Sequence, residues 1–96
     1  MGWSCNVAAD DVLQAASDVC LKETGTANTW RYQGKEYFYE EDQEDQPDGG
    51  IAGVVMVSLP GDLCQQAGTF YITGDGRVIR APKAFKALLK KAGVRL

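Results

Sequence analysis

Thr29-Trp30-Arg31-Tyr32-Gln33-Gly34-Lys35-Glu36-Tyr37-Phe38-Tyr39 is the stretch on which the fold turns. Aromatic and β-branched side chains suit the half-buried surface of a pleated strand. Two such runs around a glycine predict a β-hairpin. A turn at Gly34-Lys35 sets Tyr32 against Tyr37 and Trp30 against Tyr39, whereas a turn at Gln33-Gly34 sets Trp30 against Tyr37. The two registers differ by an even step. Either one therefore projects Trp30, Tyr32, Tyr37 and Tyr39 from one face, and Arg31, Glu36, Phe38 and Glu40 from the other.

Beyond this hairpin, residues 40–50 carry no large apolar side chain and read as a loop. Ile51 to Leu59 then reads as a third strand. Its centre, Val54-Val55-Met56-Val57, is apolar at every position, where a strand with one solvated face alternates. It is expected to be covered on both sides, with helices on one and a second copy of the protein as a candidate for the other. Pro60-Gly61-Asp62 turns the chain and Leu63 to Gln66 reads as loop. Thr69 to Thr73 and Arg77 to Arg80 flank Gly74-Asp75-Gly76 as a further hairpin. A two-residue turn at Asp75-Gly76 would place Phe70, Ile72, Ile79 and Ala81 on one face.

A helix is expected at each end of this sheet. At the N-terminus Ser4 is a suitable cap, with Trp3 placed to pack back on Ala8. Cys5, Ala9, Val12, Leu13, Ala16 and Cys20 then form one apolar stripe, and Gly25 supplies a left-handed stop. At the C-terminus Pro82 fits the first helical position. Phe85, Leu88, Leu89 and Ala92 repeat at i, i+3, i+4 and i+7, and Gly93-Val94 fits a Schellman ending. The order α-β-β-β-β-β-α over 96 residues describes a single α+β domain, residues 1–96, built on an antiparallel sheet of about five strands.

Charge is unevenly distributed. The net value of −3 divides into about −1 over residues 1–35, −8 over 36–62 and +6 over 63–96, with Asp75 the one acid of the last segment. No run of about 18 apolar residues is present, so no membrane partner is expected. The N-terminus lacks the pattern of a secretory signal, and Asn6 stands where myristoylation favours Ser or Thr. Three cysteines, of which Cys5 and Cys20 would lie roughly 22 Å apart along one helix, argue for free thiols and a cytoplasmic address.

Chemistry is sparsely represented. With no histidine in the chain, the commonest general acid-base group and metal ligand is missing. The cysteines lack the spacing of a zinc site. Gly49-Gly50-Ile51-Ala52-Gly53 precedes a strand, whereas a phosphate loop follows one; its glycines suit a turn and a close approach within the strand. No catalytic residue, cofactor or metal is expected.

The candidate surfaces are three. Trp30, Tyr32, Tyr37 and Tyr39, with Val55 and Val57, form either core or a pocket or interface, with Trp30 and Tyr39 as its favoured members. The acidic residues Glu40, Glu41, Asp42, Glu44, Asp45 and Asp48 form a solvated loop or a docking surface for a basic partner; their match to a calcium loop lacks the central glycine and terminal glutamate. The lysines of the last helix read as a solvated outer face, and the acidic segment would repel nucleic acid, which is not expected as a partner.

The functional expectation is a non-catalytic binding or interaction module that self-associates, with a protein or small molecule as a further possible partner. The alternatives are a regulatory protein docking through its acidic loop, and a small enzyme pairing Glu40 with Tyr37.

Overall fold

The computed structural model describes residues 8–42 and 48–94. Trp3, Ser4 and Cys5, and Glu44 and Asp45 of the acidic stretch, lie outside the described residues. Among those described, the chain forms α1 (Ala8–Thr24), β1 (Thr29–Tyr32), β2 (Lys35–Glu41), β3 (Ile51–Leu59), β4 (Leu63–Ile72), β5 (Val78–Arg80) and α2 (Lys83–Lys91). The strands make one antiparallel meander in the order β1-β2-β3-β4-β5. The element order and α+β class are those expected from the sequence.

The first hairpin turns at Gln33-Gly34, both in the left-handed region (φ 52° and 80°), as a two-residue turn requires. Trp30 therefore pairs with Tyr37, and Tyr39 pairs with Val55 on the next strand. One sheet face thus gathers Trp30, Tyr32, Tyr37 and Tyr39 with Val55 and Val57 (paired with Tyr37), and beyond them Phe70 and Ile72. Both helices pack on this face. The core joins Ala9, Leu13, Ala16 and Cys20 of α1 and Ala84, Phe85, Leu88 and Leu89 of α2 to Trp30, Tyr39, Val55, Phe70 and Ile72. Phe85 stacks on Phe70 with ring centroids 4.6 Å apart. Each large apolar side chain enclosed here contributes about 1.5–3 kcal/mol.

Glycine permits the tightest contact of this layer. A side chain at Gly53 would collide with the Phe70 ring 2.6 Å away, so Phe70 lies directly over that backbone. The close approach expected within the glycine-rich start of β3 is this one. Both helix ends follow the sequence. Gly25, at φ 79°, closes α1 with its N–H donating to the Leu21 carbonyl. The Gly93 N–H donates to the Lys90 carbonyl and Val94 N–H to that of Leu89, and Val94 packs against the core. That is the Schellman pattern with its apolar contact.

Four local expectations are corrected. The loop read at 40–50 starts later, because β2 continues through Glu40 and Glu41, paired with Val54 and Gly53. Leu63 to Gln66 is strand and not loop. These residues have modest strand preference, but the turn at 60–62 carries the ladder on to the Leu59–Leu63 pair. Pro82 caps α2 from outside, in extended conformation, instead of occupying its first turn.

The last correction concerns β5. The Gly76 N–H donates to the Thr73 carbonyl and the Thr73 N–H to that of Arg77, while Gly76 is left-handed at φ 89°. The loop has three residues instead of two. Val78, not Ile79, consequently faces Ile72, and a register shift makes Ile79 the extra residue, 58% exposed.

Candidate functional site

The aromatic cluster proposed from sequence divides in two. Trp30, Tyr39 and Val55 are buried under the helices. The Trp30 indole Nε1–H donates to the Ala84 carbonyl of α2 at 3.1 Å, and the Tyr39 hydroxyl pairs with Ser17 Oγ of α1 at 2.8 Å. Polar ends that would serve a ligand are thus occupied by the chain itself, and Phe85 fills the space between the rings. Tyr32, Tyr37 and Val57 remain partly exposed at the margin of this layer.

Above Tyr39 lies an open cleft of about 560 Å³ lined by Ser17, Ala27, Asn28, Tyr39, Glu40 and Glu41. Its hydroxyl pair is poorly suited to catalysis. Burial, with Cys20 and Glu41 adding to it, pushes the Tyr39 phenol above its ordinary value, against a smaller opposing effect of the Ser17 bond. Tyr39 therefore holds its proton at neutral pH, and the hydroxyl of Ser17 is paired with that of Tyr39. Tyr37 does not share a face with Glu40, because successive residues of β2 point to opposite faces and these two are three apart.

A second cleft, about 320 Å³, lies between Asp48, Thr73, Gly74, Asp75 and Arg77. Asp48 accepts the Tyr71 hydroxyl at 2.5 Å and the Gly50 N–H at 3.0 Å, and the Tyr71 bond holds its carboxyl below the usual range. Asp75 is held low by the Thr73 hydroxyl. Both carboxylates are ionised and already satisfied by hydroxyls of the chain. Of the remaining acidic candidates, Asp42 is exposed, its N–H extending the ladder to the Ala52 carbonyl.

The face of the sheet opposite the helices is the larger feature. It presents Glu36, Phe38 and Glu40 from β2 and Ala52, Val54, Met56 and Ser58 from β3. From β4 it presents Cys64, Gln66, Thr69 and Tyr71, and from β5 Arg80. Phe38 pairs with Met56, and Val54 lies one pair further along between Glu40 and Thr69. These apolar side chains are partly exposed, and no described element lies over them.

Two observations on the sequence anticipated this surface: Phe38 and Glu40 point away from Trp30, and the centre of β3 is apolar on both sides. Arg80 pairs with Tyr71 whether the turn before it has two residues or three, because the bulge at Ile79 absorbs the extra loop residue. The two described cysteines are free, Cys20 buried and Cys64 exposed. Among the described residues no helix is long and apolar enough to cross a membrane. Comparison with known proteins returned no matching family model, no matching curated protein and no matching solved structure.

Proposed function

We propose that the protein is a non-catalytic interaction module that works as a small homo-oligomer, a dimer in the first instance, joined through the open face of its sheet. The observation that carries this reading is the placement of both helices on one side, which leaves Phe38, Val54 and Met56 as an apolar centre with polar residues around it. Apolar patches bordered by polar residues are typical of association surfaces. Five strands at about 4.8 Å spacing and a central strand of nine residues at about 3.4 Å rise offer on the order of 600 Å². That is somewhat under the roughly 800 Å² per partner of a standard interface.

The cytoplasm suits such a module, since an exposed thiol such as Cys64 stays reduced there. Sedimentation equilibrium tests the proposal. The wild-type chain is expected to associate with rising concentration, and Met56→Lys to remain monomeric with an unchanged far-UV circular dichroism spectrum. A Met56→Lys protein that associates as the wild type does would remove the open face from the function.

A further inference from the structure

The same face carries charges that define how two copies would meet. Across the sheet, Glu40 on β2 is level with Val54 on β3, and Val54 is level with Thr69 on β4. Arg80 on β5 pairs with Tyr71, but its Nε–H donates to Thr69 Oγ1 at 3.0 Å, which brings the guanidinium back to this level. One row of the sheet therefore runs acid, apolar, hydroxyl, base. Glu40 and Arg80 sit on opposite flanks of Val54, and among the described residues neither joins an ion pair.

We infer that two copies stack open face to open face about a two-fold axis running nearly along β3, so that Glu40 of each reaches the Thr69–Arg80 corner of the other. This inference rests on the proposed self-association and specifies its geometry. Stacked sheets lie about 10 Å apart with strands roughly aligned. A two-fold axis within the interface can meet that condition either along the strands or across them.

An axis along β3 preserves level and exchanges flanks, so β2 of one copy covers β4 of the other. Glu40 then meets the guanidinium of Arg80 twice, once in each direction, as a self-complementary interface requires. Arg31 does not interfere. It pairs with Glu36 at the Ser58 end of the sheet, away from Arg80 at the Ala52 end. An axis across the strands at this level instead lays β2 over β2, with Glu40 over Glu40 and Arg80 over Arg80. Like charges in apposition disfavour that arrangement.

Charge reversal distinguishes these cases by sedimentation equilibrium at low salt. E40R alone places two arginines together at each corner, and R80E alone places two glutamates there. Each is expected to weaken self-association on the order of tenfold. An equimolar mixture of the two variants restores opposite charges at both corners, as does the double variant E40R/R80E, and both are expected to recover wild-type association.

A wild-type dimer indifferent to both single reversals would overturn the orientation while leaving self-association standing. So would the double variant E40R/R80E associating more tightly with the wild-type chain than with itself, the pattern of a β2-on-β2 stack. A wild-type chain that stays monomeric to about a millimolar would overturn the self-association itself.

Discussion

Cys20 and Cys64 show how much a residue's chemistry depends on where the fold leaves it. Cys20 lies on the buried stripe of α1, and burial, with Glu23 nearby, pushes its thiol up to about 11. Alkylation requires the thiolate, so Cys20 is shielded both by access and by protonation. Cys64 stands exposed on β4. Iodoacetamide at pH 7.5 on the folded protein, followed by peptide mapping, is expected to label Cys64 within minutes and to spare Cys20 until denaturant is added. Labelling of both at equal rates would mean that α1 detaches from the sheet under native conditions. The burial of Cys20 was legible in the helical spacing of the sequence. The burial of Trp30 and Tyr39 was legible only as far as the face they share, because α2, which supplies Phe85 and the carbonyl that Trp30 binds, lies far along the chain. An aromatic group next to a turn also reads alike whether a helix or a partner covers it.

Between elements, Glu23 is the junction. Its carboxylate accepts Lys91 Nζ from the end of α2 at 2.9 Å and lies 3.5 Å from the Arg31 N–H of β1. The Lys91 bond is the main reason its carboxyl falls below the ordinary 4.5, with smaller help from the Arg31 backbone and both positive charges against some desolvation. A carboxyl whose folded value is lowered stabilises the fold fully above its ordinary value. That contribution is lost as the pH drops from 4.5 through the folded value. The pair is well exposed, so Glu23→Gln is expected to cost no more than about 1 kcal/mol at pH 7. Urea denaturation at pH 7 and at pH 3 should show the difference between variant and parent shrinking at the lower pH. A constant difference would assign the effect to packing instead of charge. Boundaries at this scale were legible where a single residue type enforces them, as Gly25 and Gly93 do. They were not legible where pairing decides. The strand character of Leu63 to Gln66 comes from β3, and the outward turn of Ile79 comes from one additional loop residue.

Over the whole molecule, the β3–β4 hairpin sets the shape, 47 × 25 × 20 Å, because it runs on past the strands that flank it. Gly53, Val55, Phe70 and Ile72 are enclosed at one end, whereas every residue from Leu63 to Ala67 is exposed, Leu63 at 64%. Among the described residues β5 pairs only with Tyr71 and Ile72, so the outer edge of β4 from Leu63 to Gly68 has no neighbouring strand. An uncovered edge is itself a route to association by strand addition. The register shift that leaves Ala67 unpaired and the glutamines at 65 and 66 make this edge irregular and polar. Stability should therefore fall along the hairpin. Amides of 63–67 are expected to exchange with deuterium at least about a hundredfold faster than those of Phe70 and Ile72, whose release requires the core to open. Repeating the exchange at rising protein concentration separates the two routes. Face-to-face stacking slows exchange at Val54 to Met56 but adds no backbone hydrogen bond along the outer edge of 63–67. Edge pairing would do the reverse, protecting 63–67 as new backbone hydrogen bonds form there. That second pattern would transfer the association from Phe38, Val54 and Met56 to the rim of β4, and the Glu40–Arg80 correspondence would then be a feature of a solvated surface.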